Sequence, residues 1–290
     1  MAEFLLAAVN GLTSGSIVFL VAAGLTLVFG VGGVLNFAHG GVFAVAAYTM
    51  YTMLSQLGTS WSAFAASALV AIVVAAVLGA LAELLFVRKF YKLRHEYTLL
   101  GTYALLLVID GSLLLVWGLE PKTSPAPQAL RQAIDLGPTR VSTLSIFIIL
   151  IALLSLGGLY YWLQRTSFGH LAKAAAHDRE ASMSLGVNVP FVMTGVFVVG
   201  SMLAGVAGAV LAPNQALNPE LGNLFIIQAF VAVVLGGLGS VGGAWLAAII
   251  LGLADSLWFT YLPDVPQIGV FVVLVAILVL KPTGLAGAKA

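Results

Sequence analysis

Gln164–Pro190, QRTSFGHLAKAAAHDREASMSLGVNVP, is a polar island between two long apolar runs. Only 8% of the 290 residues are charged, yet this stretch holds Arg165, Lys173, Asp178, Arg179 and Glu180, together with His170 and His177. Asp178 is a good N-cap for a helix over Arg179–Leu185, and Gly186 stands where that helix would stop. A helix of about eight residues spans about 12 Å and is marginal alone in water, so it needs a surface to rest on. Two readings stay open at this level. One is a short capped helix serving as a handle for an external motor; the other is an ordinary loop with a helical turn.

Outside the island the chain is apolar. Hydrophobic residues make up 61% of it and the mean hydropathy is +1.10, whereas soluble domains carry about 45–50% apolar residues. Continuous apolar runs of about 18 or more residues recur, and the short alternating strands of a membrane barrel are absent. The composition specifies a polytopic α-helical integral membrane protein, read as one domain over residues 1–290. A net charge of +1 gives no electrostatic reason to bind nucleic acid. With no cysteine there is no disulfide or thiolate chemistry. The start, MAEFLLAAVNGLTSG, lacks the basic region of a cleaved signal and reads as a retained first membrane segment.

Nine hydrophobic segments can be drawn: Phe4–Phe29, Val31–Leu54, Trp61–Val87, Tyr97–Leu119, Val141–Leu163, Phe191–Leu211, Leu224–Leu235, Ala244–Tyr261 and Val265–Leu280. The seventh is too short to cross a core of about 30 Å, so the count is eight or nine. Basic residues set the orientation. Arg88, Lys89, Lys92 and Arg94 follow segment three, Arg165, Lys173 and Arg179 follow segment five, and Lys281 and Lys289 follow the last. With nine alternating segments all three groups share one side, which the positive-inside rule makes cytoplasmic. The N-terminus is then outside, and the 164–190 loop and C-terminus are inside. The long outer loop Glu120–Arg140 reads as an extended proline-rich start followed by a short surface helix over Gln128–Ile134.

Two glycine-rich breaks interrupt the apolar runs. One is Gly30–Gly41, GVGGVLNFAHGG, ending in Gly40 and Gly41. The other is Gly236–Gly243, GGLGSVGG, with Gly236, Gly237, Gly239, Gly242 and Gly243. Such breaks let a segment bend or unwind, and non-helical backbone at membrane depth survives only against protein or a water-filled path. Tight packing, or a cytoplasmic turn at the second break, accounts for the glycines as well. Polar groups inside the apolar segments are few. His39, Asp110 and Asp255 are ionisable, Asn10, Asn36 and Gln228 are neutral, and Glu83 sits near an inner end from which it is expected to reach the interface. As a set they are candidates for the lining of a translocation path; singly, each reads as an inter-helix hydrogen bond. His39 and Asn36 share a face if that stretch is helical.

The sequence has no H-E-x-x-H, no G-x-S-x-G and no G-x-x-x-x-G-K-[ST] phosphate loop. No catalytic residue or metal ligand is assigned, and no cofactor is expected on this chain. A handle without its own ATPase implies a separate motor subunit.

Several elements resemble one family. Asn10-Gly-Leu through Ala23-Gly-Leu-Thr-Leu-Val-Phe-Gly30, then Leu35-Asn-Phe-Ala-His-Gly40, resembles permease subunits of branched-chain amino acid ABC importers. Val234-Leu-Gly-Gly-Leu-Gly-Ser-Val-Gly-Gly-Ala-Trp245 and Lys281-Pro-Thr-Gly-Leu285 look like the same family. Ala176–Val187 looks like its EAA loop, the coupling helix that docks on an ATPase. Glu180, Ala181 and Gly186 match that pattern, and Ser182 replaces the second alanine. The resemblance covers essentially the whole chain. It implies a second related permease, two cytoplasmic ATPases carrying ATP and Mg, an extracytoplasmic binding protein, and a bacterial inner membrane. It also implies ATP-driven import of leucine, isoleucine and valine, with Asp178, Arg179, Glu180, Ala181, Ser182 and Gly186 in the coupling contact. Urea, short amides or other small carboxylates are alternative cargo. Rival readings are a proton-coupled secondary transporter using Asp110 or Asp255, and a channel-like or structural membrane subunit.

Overall fold

A computed structural model describes residues 2–91, 93–135, 137, 139–262, 264, 269–281 and 284–286. Lys92, Lys289, the start of the ninth segment at Val265, and Pro282 and Thr283 of the Lys281–Leu285 motif lie outside the described residues. Among the described residues there are eleven α-helices: α1 (Ala2–Gly32), α2 (Ala38–Leu57), α3 (Trp61–Leu85), α4 (His95–Trp117), α5 (Thr143–Arg165), α6 (Ser167–His177), α7 (Arg179–Ser184), α8 (Val189–Leu211), α9 (Leu221–Gly236), α10 (Val241–Tyr261) and α11 (Gly269–Leu280). Six of the described helices are long and apolar enough to cross a membrane, and α9 is a shorter apolar one.

Helix α2 is not among those six, for a physical reason. It carries Tyr, Thr, Ser, Gln and His along with its apolar residues, and Ala38–Ala44, Ala46–Tyr48, Met50 and Leu54 are buried inside the bundle. A helix that meets protein on most sides need not be as lipophilic as one that meets lipid. Helices α1 and α8 are buried beside it, α1 without interruption over Gly15–Val28. Helices α3, α4 and α5 form the outer wall, turning Leu69, Val73, Leu115 and Leu154 outward, the last two 88% and 70% exposed. In water that surface would be an aggregation liability; in a bilayer it is the lipid-facing surface.

The first break is the main departure from a simple crossing. Instead of a continuous second segment from Val31, α1 runs to Gly32, the chain is non-helical over residues 33–36, and α2 begins at Ala38. The Phe37 N–H donates to Thr102 Oγ1 (3.2 Å), and that hydroxyl donates to the Leu35 carbonyl (3.2 Å). Thr102 lies seven residues into α4, about 10 Å along it by helical rise. The irregular backbone is therefore satisfied by a side chain from a neighbouring helix. The second break is a tight turn: Gly237 (φ +96°) and Gly239 (φ +85°) take the left-handed conformation that glycine tolerates best. Ser240 then caps α10 by accepting from the Gly243 N–H at 3.1 Å. Helix α9 has 16 residues, about 24 Å, shorter than a bilayer core.

The outer loop differs from the expected surface helix over Gln128–Ile134. Only a 3-10 turn forms at Gln128–Arg131, followed by the antiparallel hairpin β1 (Ala133–Asp135) and β2 (Arg140–Ser142). Ile134 pairs with Val141, a β-branched cross-strand pair that favours strand over helix. Asp135 and Arg140 close the register with an ion pair at 2.8 Å.

Candidate functional site

The 164–190 island folds into two helices. The sequence reading anticipated only the second, and α6 fills the stretch before it. Phe168 anchors α6, its ring 5.7 Å from Trp162 of α5 and 6.0 Å from Phe191 of α8. Asp178 caps α7, accepting from the Ala181 N–H at 2.9 Å. At the other end Gly186 (φ +86°) closes the helix, with Gly186 N–H bonded to the Met183 carbonyl and Val187 N–H to the Ser182 carbonyl, both at 3.0 Å. This 5→2 and 6→1 pair is a Schellman closure. Ser182 is buried, while Arg179, Glu180, Ala181, Met183 and Leu185 are exposed, Leu185 to 85%. This six-residue helix is secured at both ends and presents apolar and charged groups together on the outside of the chain.

Helix α7 is also tied inward. The Arg179 guanidinium carbon lies 5.4 Å from the centre of the Tyr91 ring, within cation–π range. The Tyr91 hydroxyl donates to Glu83 Oε1 at 3.1 Å. Arg88 donates through Nε to Oε1 (3.0 Å) and through Nη2 to Oε2 (2.9 Å), a bidentate pair. Thr194 Oγ1, one turn into α8, donates to Oε2 at 2.8 Å and accepts from Arg88 Nη2 at 2.7 Å. Glu83 is 0% exposed, so the expectation that it reaches the interface is corrected. Its carboxylate points into the protein because four donor atoms, from Arg88 and Tyr91 in residues 87–91 and from Thr194 of α8, converge there, and removing Arg88 would strand a buried charge. Burial, reinforced by the Glu83 carboxylate, pushes the Tyr91 phenol well above its ordinary value, so it remains a donor. The Arg179–Tyr91 contact also puts the basic segment after α3 and the 164–190 island on one face of the bundle.

On the opposite face, beyond the far end of α8, the backbone of Leu217 pairs with Lys122 (3.0 and 2.8 Å), joining two loops. Below them α1, α9 and α10 surround a cavity of about 250 Å³ whose polar lining is Ser14, Gln215, Gln228 and Asp255. Its rear wall is held by close backbone contact: a Cβ on Gly252 of α10 would collide with Gly11 and Gly15 of α1. Among the described residues, no group of three or more His, Cys, Asp or Glu could hold a metal ion.

Residues 7–280 match the family model described as branched-chain amino acid transport system / permease component. The chain is 30% identical over 291 residues to the high-affinity branched-chain amino acid transport system permease protein BraD of Pseudomonas aeruginosa, covering 96% of this chain and 94% of that one. It is 29% identical over 288 residues, with the same coverages, to LivH of Escherichia coli K12, named likewise. A shorter match, 33% over 140 residues and 46% of this chain but 35% of the other, is to the xylose transport system permease protein XylH of Escherichia coli K12. The chain belongs to the branched-chain amino acid transport permease family.

In this family member the six polar residues singled out from sequence do not form one group. Gln228 and Asp255 meet at the cavity, and Asn10 is exposed near the start of α1. Asn36 and His39 are 3% and 1% exposed in the bundle interior, with Asn36 in the non-helical link and its carbonyl accepting from the His39 N–H at 3.2 Å. The His39 ring occupies space that only glycine leaves open, since a Cβ on Gly24 would lie 2.6 Å from Nε2. Asp110 lies where α4 meets the first turn of α9, its Oδ1 3.2 Å from a Cβ built on Gly222. Gly40 and Gly41 are helical and packed, Gly40 against Gly222 and Gly41 against Ile109. Gly236 and Gly243 touch across the second break, with Gly237 and Gly239 in the turn and Gly242 in α10's first turn. Sequence reasoning passed over Ser14, Gln215, Tyr91 and Thr194. The Gly11-x-x-x-Gly15 spacing was a legible signal for the α1–α10 seam; the others carry no local signature.

Proposed function

We propose that this permease is the membrane subunit of an ATP-driven ABC importer for leucine, isoleucine and valine, with α7 as its coupling helix. The observation that carries this reading is the Arg179–Tyr91–Glu83–Thr194 chain of contacts, which joins an exposed, doubly capped helix to α3 and α8. A rigid connection of this kind lets displacement of α7 move membrane helices instead of bending a loop. ATP and Mg belong on two partner ATPases, whose surface receives Arg179, Glu180, Ala181, Met183 and Leu185. A second related permease and an extracytoplasmic binding protein complete the assembly in a bacterial inner membrane. The N-terminus is outside, and the 164–190 segment and C-terminus are cytoplasmic. The likeness to BraD and LivH supports the branched-chain substrate.

The test is uptake of labelled leucine into proteoliposomes holding this chain, its partner permease and the ATPases, with binding protein outside and ATP inside. Uptake should need every component and be competed by isoleucine and valine. Glu180→Lys should leave the assembly folded while separating ATP hydrolysis from uptake; normal coupled uptake by that variant defeats the coupling assignment. Orientation is read in the same cysteine-free chain: Leu185→Cys and Leu119→Cys, 85% and 77% exposed, should label from opposite sides.

A further inference from the structure

We infer that the outer wall holds a binding site for one acyl chain of a bilayer phospholipid, in a recess between α3, α5 and α8. Helices α3 and α8 form its floor, packed so closely that a Cβ on Gly205 would lie 2.8 Å from the Ile72 Cα. Helix α5 forms its overhang. Among the described residues, α5 packs closely on α1 and α6 and stands off from α3 and α8. The gap left between them measures about 330 Å³. Phe64, Ala68 and Ile72 line it from α3, and Phe147, Ile151 and Ser155 line it from α5. Each set is spaced four residues apart, so each helix contributes one face. Val206 and Val210 close the recess from α8.

Lining, size and position together select the occupant. Water does not suit the lining: Ser155 is the sole polar lining residue, and an apolar space of this kind stays dry. A helix does not suit the size. At about 10 Å across it takes up roughly 120 Å³ per residue, so less than one turn would enter. An acyl chain suits both. With about 30 Å³ for each water-sized group, the recess takes roughly ten methylenes, and filling it restores the dispersion contacts that a void forfeits. Position agrees. Leu154 lines the recess and is 70% exposed on the lipid-facing wall, so the two surfaces are continuous. The end of the recess away from α7 is marked by three rings, Phe64 and Phe147 6.0 Å apart and Trp61 6.0 and 6.3 Å from them. Trp61 is the first residue of α3 and half-exposed, the position at which an aromatic ring meets lipid headgroups. A phospholipid with its headgroup beside Trp61 therefore lays its chain along the recess, in the leaflet opposite α7.

The experiment places the full chain, within its assembled complex, in vesicles of phosphatidylethanolamine carrying a photoreactive diazirine midway along one acyl chain. After illumination, adducts are mapped by mass spectrometry. Val73 and Val77 of α3, about half exposed on the open wall, report contact with bulk lipid. Val206 and Val210 report the recess, and Val210 is only 4% exposed. Adducts are expected at both pairs. Ala68→Phe, which fills the recess, should lower the α8 adducts about tenfold, equivalent to about 1.4 kcal/mol of lost contact, and leave those at Val73 and Val77 unchanged. Ser155→Phe fills the recess from the α5 side and serves if the first variant fails to assemble. Adducts at Val73 and Val77 with none on α8 overturn the site. So do α8 adducts that persist when the recess is filled, since the probe then arrives by another route. Adducts on α8 in the chain alone but not in the complex overturn the lipid assignment and give the recess to a neighbouring subunit.

Discussion

The two faces of the bundle treat a carboxylate in opposite ways. Beside α7, Glu83 has no exposed surface, and donors from Arg88, Tyr91 and Thr194 fill its oxygens. At the other face, Asp255 is half-buried on the wall of a cavity among neutral polar groups. A buried charge with all partners supplied by its own chain has one low-energy arrangement, so it joins the elements that meet there. Asp255 instead borders open volume, and its surroundings are not closed around it in the same way. The difference teaches that intramembrane charge alone does not mark a path: in this permease one carboxylate is locked among its donors and the other borders a cavity.

The largest expected effect breaks the first half of that contrast. Arg88→Ala should destabilise the protein by about 3–5 kcal/mol, because it leaves the fully buried Glu83 carboxylate without its ion-pair partner; thermal unfolding in detergent measures it. A near-normal midpoint would mean that the cluster does not join α3 to α8. Thr102→Val should cost about 1–3 kcal/mol by leaving the Phe37 N–H and Leu35 carbonyl without their shared hydroxyl. Tested in the same way, it asks whether the non-helical link, like Glu83, depends on full satisfaction. Asp178→Ala should weaken α7 by about 0.5–2 kcal/mol, seen as faster local hydrogen exchange around residues 179–184 while the membrane helices keep their protection. Loss of protection throughout would make the 164–190 island part of the fold's foundation. Asp255→Asn, a nearly isosteric change, should alter stability by no more than about 1 kcal/mol, read from the same unfolding midpoint. A large loss of midpoint there would collapse the contrast and make Asp255 a second Glu83.

Much of the architecture was legible, and the reason is the bilayer. Apolar length and basic asymmetry are summed over whole segments, so eight of the nine drawn segments overlap a described helix nearly end to end or differ by a few residues at each boundary. The exception is instructive. Val31–Leu54 was drawn as one run although Gly30–Gly41 was marked as a break that could unwind; the chain does unwind there, where Thr102 supplies hydrogen bonds from 65 residues away. The missed hairpin has the same origin: Gln128–Ile134 has acceptable helical composition, but Ile134 and Val141 gain more by pairing. At the α7 face, Asp178 and Gly186 were readable because caps are local, within three residues of the groups they satisfy. The Glu83 cluster was not readable, because its Thr194 contact spans 111 positions.

The sequence by itself determined the class, the family, the short capped helix and the grouping of basic residues, since hydropathy, motifs and caps depend on near neighbours. Only the tertiary structure decided which polar residues meet. It put Glu83 with Thr194 and Asp255 with Gln228 and Ser14. Those pairings follow from the rotation and depth of each helix, which are set by glycine seams and side-chain packing between distant segments and leave no local periodicity to read.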